Sequence, residues 1–293
     1  MITPAAIKQF QQTILDNYRA NGRSFPWRIA DAAFDGRQSG KRDTVSPYAV
    51  LVSEMMLQQT QTERVIPKFG EWMARFPDEH SLAAAALADV LALWSGLGYN
   101  RRARYLHESA KIIARDGFPA AAGELDGLPG IGPYTARAVI TFAFNKPEIF
   151  IETNIRSVFI FFFFMNVNEQ SDGSAREQRK IPDRDILPLV EKTLYRENPR
   201  VWYYALMDYG AALKKKTVNP SRQSAHYAKQ SKFKGSLREA RGAVLRSLAA
   251  RGKSSLESIA LCEGIEYERV TKAAESLVAE NFIKQDDGAY RIV

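Results

Sequence analysis

The sequence predicts an all-α protein of two domains with a small C-terminal appendage. Its 293 residues exceed the length of one average domain, and 45% of them are hydrophobic, which suits a globular chain with at least one large core. Apolar residues recur at helical spacing from residue 4 onward, whereas strand signals are scarce in the first 230 residues. We therefore expect about ten helices in this body, since typical helices hold about 11 residues and are joined by short connections.

Charge and cysteine content restrict the class of protein. The net charge of +8, from 41 Lys and Arg against 33 Asp and Glu, favours a polyanionic partner, and nucleic acid is the leading candidate. The longest apolar run, Val158 to Val167, is shorter than the ~20 residues of a membrane span, so a buried helix containing Phe161 to Phe164 is the simpler interpretation. The N-terminus lacks the features of a secretory signal and Cys262 is the only cysteine. We expect a cytoplasmic, nucleoid-associated protein of bacterial type without disulfides and without a membrane partner.

Helices are expected along most of residues 1–213. Ser46 caps one of them and Pro47 occupies its first turn. Gly96 to Tyr99 is expected to be a tight joint, and 31–44 a surface loop. The other segments with an apolar stripe at helical spacing are 4–21, 65–76, 81–93, 102–115, 186–195 and 201–213.

Two carboxylates are the candidate catalytic groups. Glu54 lies on the apolar stripe of the helix that begins at Pro47, where burial would disfavour its charged form and raise its pKa. Glu152 precedes a helix that starts at Thr153, where the positive end of the helix dipole favours an anion. One carboxyl group able to hold a proton and another that stays ionised are what acid-base catalysis requires. The alternatives are a salt-bridged Glu54 and a Glu152 that only stabilises its helix.

The segment Leu128 to Ala136 has a glycine on each side of Ile131 and a proline at position 133. The two glycines allow positive φ and the close approach of another backbone, and Pro133 suits the first position of a helix. Since N–H groups at such a helix start attract phosphate, we interpret the segment as a DNA clamp. The alternative is an ordinary corner between two helices. The candidate DNA contacts are Gly130, Ile131, Gly132 and Thr135.

Positive charge is concentrated from Lys214 to Arg241, where nine Lys or Arg face a single acid, Glu239. A solvated linker would explain such a run, but a strap that follows DNA phosphates suits a basic protein better. The candidate contacts in it are Lys214, Lys215, Lys216 and Arg222. The predicted division is a helical body over 1–213 with two subdomains, a basic linker over 214–236 and an appendage over 237–293.

The appendage is expected to hold three helices and a hairpin. Helices are indicated over 237–250 and 267–280, and Ser254 to Glu257 resembles a capping box that opens the helix between them. A hairpin over 282–292 would turn at Asp286-Asp287-Gly288. This order is typical of a winged helix-turn-helix, a module that binds either DNA or a protein.

Blocks along residues 5–213 resemble, in the same order, the MutY-type adenine glycosylases of the helix-hairpin-helix DNA glycosylase superfamily, which also includes endonuclease III. The blocks are Phe25 to Arg28, Pro47-Tyr48, Ser53 to Thr62, Val65 to Pro67, Leu93 to Tyr99, Leu128 to Ala136 and Met207 to Ala211. The resemblance implies a two-domain helical fold that grips double-stranded DNA containing a mismatched or damaged base, with the protein acting as a monomer. It also implies that Gly130, Ile131 and Gly132 hold a phosphate.

The resemblance further implies residue roles. Glu54 would protonate the departing base, and Glu152 would take the place of the catalytic aspartate, one methylene longer. Gln58 and Gln59 would wedge the duplex while the target base flips out. Tyr134 stands in the base pocket where bifunctional relatives carry their Schiff-base lysine, so covalent catalysis with strand cleavage is not expected. A tyrosine there also resembles the thymine mismatch glycosylases.

Two larger parts of the family pattern are missing from this sequence. Relatives usually bind an iron-sulfur cluster through four cysteines after the block at Met207, but Cys262 alone cannot ligate one, so no cofactor or metal is expected. The basic segment that begins at Lys214 is expected to replace the DNA contact of the cluster loop. The family's large C-terminal domain, which senses 8-oxoguanine, is replaced by about 55 residues that resemble a winged helix.

The leading hypothesis is a monofunctional DNA glycosylase of base excision repair that removes a mispaired base, with adenine opposite guanine or 8-oxoguanine as the first candidate substrate. A second hypothesis keeps the chemistry but assigns mispaired thymine, uracil or another base to a pocket that contains Tyr134. A third is a non-catalytic DNA-binding protein in which Glu152 has disabled the reaction. The retention of Glu54 together with an acidic residue at position 152 favours the enzymes.

Overall fold

The protein is described here from a computed structural model, which covers residues 2–28, 45–165, 180–228 and 231–293. The predicted surface loop over 31–44 lies outside the described residues. The α-helices are α1 (Pro4–Asn21), α2 (Pro47–Leu57), α3 (Thr62–Arg75), α4 (Glu79–Ala83), α5 (Leu87–Trp94), α6 (Arg101–Asp116), α7 (Ala122–Leu125), α8 (Pro133–Phe144), α9 (Thr153–Ile160), α10 (Asp183–Thr193), α11 (Pro199–Lys216), α12 (Leu237–Arg251), α13 (Leu256–Glu263) and α14 (Tyr267–Ala279). The strands are β1 (Lys253–Ser254), β2 (Ile283–Asp286) and β3 (Ala289–Ile292). The predicted all-α body is confirmed.

Local capping signals determine where several helices begin. The Ser46 hydroxyl accepts a hydrogen bond from the N–H of Ala49 (3.2 Å), as predicted for the start of α2. Thr3, Ser236 and Ser255 cap α1, α12 and α13 in the same way. A side-chain oxygen at this position satisfies one of the N–H groups that the first turn leaves without a helical partner.

Two predicted helix boundaries differ from the structure. The segment 81–93 is divided between α4, which a capping box of Asp78 and Ser81 begins, and α5. The division falls at Ala86, whose extended backbone (φ −70°, ψ 142°) interrupts the helix. At the other end of the body, α11 continues beyond Leu213 to Lys216, so the first three residues of the predicted basic linker are helical.

The chain forms two compact units. The first contains residues 1–50, 120–123 and 132–229, and the second contains 51–119, 124–131 and 230–293. In the first unit α11 packs against α9 and α1, and α10 packs against α9. In the second unit α6 packs against α4 and α5, and α12 packs against α5 and α14. The C-terminal helices thus belong to the same compact unit as the helices that follow α2.

A buried carboxylate fixes α11 within the first unit. Asp208 accepts hydrogen bonds from the backbone N–H (2.7 Å) and the side-chain Nε (2.8 Å) of Arg23, and from Nη1 of Arg28 (2.9 Å). The Arg28 guanidinium also lies over the Tyr204 ring, 4.4 Å from its centroid. A buried charge is tolerated when it is paired and hydrogen-bonded in this way. This contact explains why the sequence blocks around Arg28 and Asp208 occur together.

The phenylalanine run is not the buried helix that the sequence predicted. Residues Phe161–Met165 form a π-helical turn in which no residue is fully buried. The rings of Phe162 and Phe163 meet the ring of Phe10 edge-on, each at 5.1 Å between centroids. The run therefore covers the edge of the core of the first unit instead of lying inside it.

The C-terminal segment has the predicted three helices and hairpin. Strands β2 and β3 are antiparallel and are joined by a turn in which Asp287 and Gly288 take positive φ. Strand β1 pairs with β3 to give the sheet order β1-β3-β2, and it was not predicted because it has only two residues. None of the described helices is long and apolar enough to span a membrane.

Candidate active site

Glu152 is held by the first turn of the helix that it caps. Its Oε1 accepts hydrogen bonds from the N–H groups of Asn154 (2.7 Å) and Ile155 (2.8 Å), while Oε2 accepts one from Nδ2 of Asn154 (3.2 Å). The residue has extended backbone (φ −131°, ψ 180°) and is half-buried. Two backbone donors and the positive end of the helix dipole orient the carboxylate at this position. The predicted position of Glu152 before α9 is confirmed.

Lys214 approaches this carboxylate through Asn154. Its Nζ donates to Oδ1 of Asn154 (2.9 Å), and Asn154 in turn donates to Glu152. Burial lowers the pKa of Lys214, while the charge of Glu152 opposes that effect. The sequence predicted Lys214 as a DNA contact, but its half-buried ammonium lies against Asn154 instead of among the exposed cations.

Glycine at position 210 allows α11 to reach the start of α9. A Cβ atom at Gly210 would lie 2.3 Å from the carbonyl oxygen of Asn154 and 2.7 Å from its carbonyl carbon. Both are backbone atoms that a side-chain rotation could not move. The absence of a side chain at Gly210 is therefore necessary for the contact that brings Lys214 to Asn154.

Glu54 lies on α2 and is only 7% exposed. The predicted burial of Glu54 is confirmed, but every residue from Val50 to Met56 is buried, so this part of α2 is buried on all sides and not along a single apolar stripe. Removal from water disfavours the charged form of a carboxyl group unless partners compensate. The prediction that Glu54 holds a proton near neutral pH stays a prediction.

Gln58 and Gln59 form the turn that follows α2. Gln59 is exposed and has positive φ (53°), whereas Gln58 is half-buried. A non-glycine residue in this conformation is uncommon and persists where its surroundings hold it. The turn therefore presents one glutamine outward from a fixed backbone.

Arg102, which the sequence analysis missed, holds that turn. Its Nη1 donates to the carbonyls of Met55 (2.8 Å), Met56 (3.0 Å) and Gln58 (2.5 Å). Its Nη2 donates to Oγ1 of Thr60 (3.1 Å) and to the carbonyls at 97 (3.1 Å) and 98 (2.9 Å). Burial lowers the pKa of Arg102 to about 10, so the guanidinium remains charged at neutral pH. A charged residue at the start of α6, just after the tight joint, was the only sequence signal.

The two glycines of the turn differ in backbone conformation and in the space around them. Gly130 takes positive φ (71°), and a Cβ there would lie 2.6 Å from Cβ of Tyr105. Gly132 has ordinary extended backbone (φ −93°, ψ 175°) and caps α8, with Pro133 at the first position as predicted. Of the two glycines, which both allow positive φ, only Gly130 uses this freedom. Among the described residues, no atom lies within 4 Å of the place where a Gly132 side chain would begin.

The other predicted residues divide by burial. Ile131 and Thr135 are 4% and 3% exposed, so only their backbone could reach a ligand. Lys215, Lys216 and Arg222 are exposed and could contact phosphates. Tyr134 is half-buried, and its ring meets the Phe150 ring edge-on at 5.7 Å between centroids.

The residues present do not fit an iron-sulfur cluster of the kind that the family resemblance implies. Such clusters are held by four thiolates, whereas the chain has one cysteine, the exposed Cys262 in α13. The segment after α11 contributes a 3-10 turn, Pro220–Gln223, instead. Ser221 in that turn donates to the carbonyl of Thr153 (3.1 Å) and contacts Oγ of Ser157 (2.5 Å). This segment thus packs directly on the helix that Glu152 caps.

Residues 52–182 match the family of HhH-GPD superfamily base excision DNA repair proteins. The adenine DNA glycosylase of Mycobacterium tuberculosis is 36% identical over 199 residues, which are 67% of this chain and 59% of the relative. The enzyme of that name from Mycolicibacterium smegmatis is 43% identical over 148 residues, 50% of this chain and 46% of the relative. This chain therefore spans less than two thirds of the length of these relatives.

A similar fold occurs among solved structures. The structure of a thermostable thymine-DNA glycosylase superposes with a TM-score of 0.57 and 22% sequence identity, covering 75% of this chain and 96% of that one. At this level of identity the likeness concerns the fold. It agrees with the helical architecture of both compact units.

Proposed function

We propose that the chain is a monofunctional DNA N-glycosylase, because residues 52–182 match the family of HhH-GPD superfamily base excision DNA repair proteins. Its proposed substrate is double-stranded DNA with a mispaired base, first of all adenine opposite guanine or 8-oxoguanine. The adenine DNA glycosylases to which it is 36–43% identical support this choice of base. The protein would act as a monomer without a metal or cluster.

The observation that carries the proposal is the Glu152 carboxylate. Helix N–H groups hold Oε1, so the carboxylate is oriented by two backbone donors of α9. A fixed anion stabilises positive charge that develops on a nearby sugar better than a carboxylate that water must reorganise around. Glu152 is half-buried, which leaves part of it accessible to a substrate.

The proposed reaction uses one acid, one anion and one water molecule. Glu54 gives its proton to the departing base as the bond between the base nitrogen and C1′ of the sugar breaks. Glu152 stabilises the cationic sugar. Water then adds to C1′ and loses a proton, so the products are the free base and an abasic site. Tyr134 has no amine to form a Schiff base, so the strand stays intact at this step.

DNA would be held at the glycine turn and by exposed cations. The space beside Gly132 would let a phosphate approach the start of α8, where no side chain caps the helix. Lys215, Lys216 and Arg222 would add contacts to phosphates. The exposed Gln59 and its neighbour Gln58 would occupy the gap in the duplex as the target base leaves the stack.

The experiment is base release from duplexes that differ in a single mispair: A·G, A·8-oxoG, T·G, U·G and C·A. Alkali converts the abasic product to a strand break that is quantified on a gel. We expect adenine release by the wild type and a loss of at least about 100-fold in Glu152→Gln, since this change removes the charge that stabilises the transition state. Glu148→Gln, a change of the same kind in the loop before α9, is the matched control and should keep wild-type rates.

The outcomes separate the three hypotheses. Release of thymine or uracil instead of adenine would assign the pocket that contains Tyr134 to pyrimidines. Binding of every duplex without release of any base would leave only the DNA-binding protein. Equal loss in Glu152→Gln and Glu148→Gln would remove the assignment of Glu152 as the catalytic anion.

A further inference from the structure

The orientation of the Asn154 amide links Lys214 to Glu152. A lysine ammonium has only donors, so the atom of Asn154 that it contacts at 2.9 Å must be the oxygen. The nitrogen of the same amide then faces Oε2 of Glu152 at 3.2 Å. Lys214 therefore determines which end of Asn154 meets the carboxylate.

The two oxygens of Glu152 depend on different parts of the chain. Oε1 is held by backbone N–H groups of α9, which any helix start would supply. Among the described residues, the hydrogen bond that reaches Oε2 comes from the Asn154 side chain. Only this second oxygen depends on α11, through Lys214.

Arg156, another cation near the start of α9, has a carboxylate partner of its own. Arg156 on α9 binds Asp183 of α10 through Nε (2.7 Å) and Nη2 (2.8 Å). His226, in the segment after the 3-10 turn, lies 3.8 Å from the same carboxylate. Lys214 on α11 is the cation that the hydrogen bonds of Asn154 connect to Glu152.

The segment that follows Lys214 supports the same helix start. Ser221 donates to the Thr153 carbonyl (3.1 Å), and Ser157 donates to that carbonyl as well (2.8 Å). The backbone of Ile181 bonds to Gln223 and Ala225 on either side of Ser224, which ties the segment to the start of α10. The backbone that carries Glu152 is thus held independently of Lys214.

We infer that Lys214 is a positioning residue for the Glu152 carboxylate and acts through Asn154. The inference rests on the proposed function, in which Glu152 is the catalytic anion. Lys214 fixes the direction of Oε2 by holding the Asn154 amide in one orientation. Because Ser221 and the helix N–H groups hold the backbone, loss of Lys214 changes the carboxylate without removing its helix.

The test compares Lys214→Met with Lys214→Arg and with Lys215→Met. Lys215 is the exposed neighbour on the same turn of α11, so its change removes the same charge away from Asn154. Single-turnover base release is measured, and duplex affinity is measured with an abasic analogue that cannot react. The side-chain amide signals of Asn154 are followed by NMR in each variant.

We expect Lys214→Met to slow base release about 10-fold, because the donor to Oε2 of Glu152 is no longer held in one orientation. The side-chain amide signals of Asn154 should shift with it. Duplex affinity should fall no further than in Lys215→Met. Lys214→Arg should restore the rate and the amide signals, since it keeps the charge and the donor.

Three results would overturn the inference. One is an equal loss of rate in Lys214→Met and Lys215→Met, which would mean a general charge effect on DNA binding. Another is a slower Lys214→Met that arginine does not rescue, which would mean a structural role alone. The third is that the Asn154 side-chain amide signals are unchanged in Lys214→Met, whether or not any base is released.

Folding and function are controlled separately. If Lys214→Met does not fold, Lys214→Gln takes its place, because its shorter side chain removes the ammonium group from Asn154 and stays polar. A wild type that releases no base from any duplex contradicts the proposed glycosylase, whereas the Asn154 amide signals still decide the role of Lys214.

Discussion

The start of α9 and the end of α2 both position side chains of the proposed reaction. The first does so through backbone donors and the second through backbone acceptors. At the start of α9, two backbone N–H groups donate to the Glu152 carboxylate. At the end of α2, backbone carbonyls accept from the Arg102 guanidinium. A helix start leaves donors without partners and a helix end leaves acceptors, so each end selects the charge that completes it.

The two ends also differ in how far the partner lies along the chain. Glu152 is bonded to the second and third residues after it, whereas Arg102 lies 47 residues from Met55. The first arrangement can form as soon as α9 forms, but the second requires α6 to pack beside α2. The Gln58–Gln59 turn should therefore depend on tertiary structure more strongly than the Glu152 carboxylate does.

Replacing Arg102 is expected to have the largest effect on stability. Arg102→Met leaves several buried carbonyls at the end of α2 without donors, and we expect a loss of about 4 kcal/mol in the free energy of unfolding. Urea denaturation followed by circular dichroism measures it. Arg115→Met on the same helix, where the arginine is exposed and pairs only with Asp116, should change stability by less than about 0.5 kcal/mol. Equal stabilities for the two variants would contradict the role of Arg102 in holding the end of α2.

Gly210→Ala tests the packing of α11 against the start of α9. Its expected effect on the free energy of unfolding is smaller than that of Arg102→Met. The new Cβ would overlap the backbone of Asn154, so α11 must move away from the start of α9, at a cost of about 3 kcal/mol in the free energy of unfolding. Base release should also fall, because Lys214 moves with α11. Gly242→Ala is the matched control: this glycine in α12 has open space around it, and alanine there should stabilise the protein by up to about 1 kcal/mol. A Gly210→Ala protein with wild-type stability would contradict the close approach of the two helices.

The same difference in chain distance explains what the sequence could predict. The cap at Ser46, the proline at the start of α8, Glu152 before α9 and the turn at Asp287-Gly288 each depend on residues within a few positions, and all four are present in the structure. The hydrogen bonds from Arg102 to the end of α2 depend on packing between helices. So does the contact of Lys214 with Asn154, 60 residues away. Periodicity indicates which face of a helix is buried, but not which polar group will meet it.

The phenylalanine run is a segment for which the sequence-based prediction was wrong. Composition favoured a buried helix over Phe161 to Phe164, yet the segment forms a half-buried π-helical turn against Phe10. Hydrophobic residues tend to be buried. At the edge of a compact unit, however, fewer neighbouring residues are available to cover their side chains. The tertiary environment, not the residue type, determined the outcome.

Glu280 gives the third and smallest test, because it places an anion at the unfavourable end of a helix. It follows the last residue of α14, where the dipole is negative. Two arginines compensate: Arg101 donates from Nε at 2.7 Å, and Arg241 donates from Nη1 and Nη2 at 2.8 Å each. These bonds, with that of Arg101 the strongest, lower the pKa of Glu280 from its ordinary value of 4.5 to about 2.

A carboxyl group whose pKa is lower in the folded state stabilises the protein above its unfolded pKa and loses that contribution as pH falls towards its folded pKa. The stability that Glu280 provides should therefore be complete above about pH 4.5 and disappear as pH falls to about 2. We expect Glu280→Gln to be about 1 kcal/mol less stable than the wild type at neutral pH, with the difference closing over that window. Urea midpoints measured across the window test this, and Glu275→Gln, an exposed carboxylate on the same helix, should show no such closure. If the difference between Glu280→Gln and the wild type were constant with pH, the arginines would not be compensating a charge at this helix end. The contrast with Glu152, whose Oε1 is held by backbone N–H groups of its own helix, would then not hold.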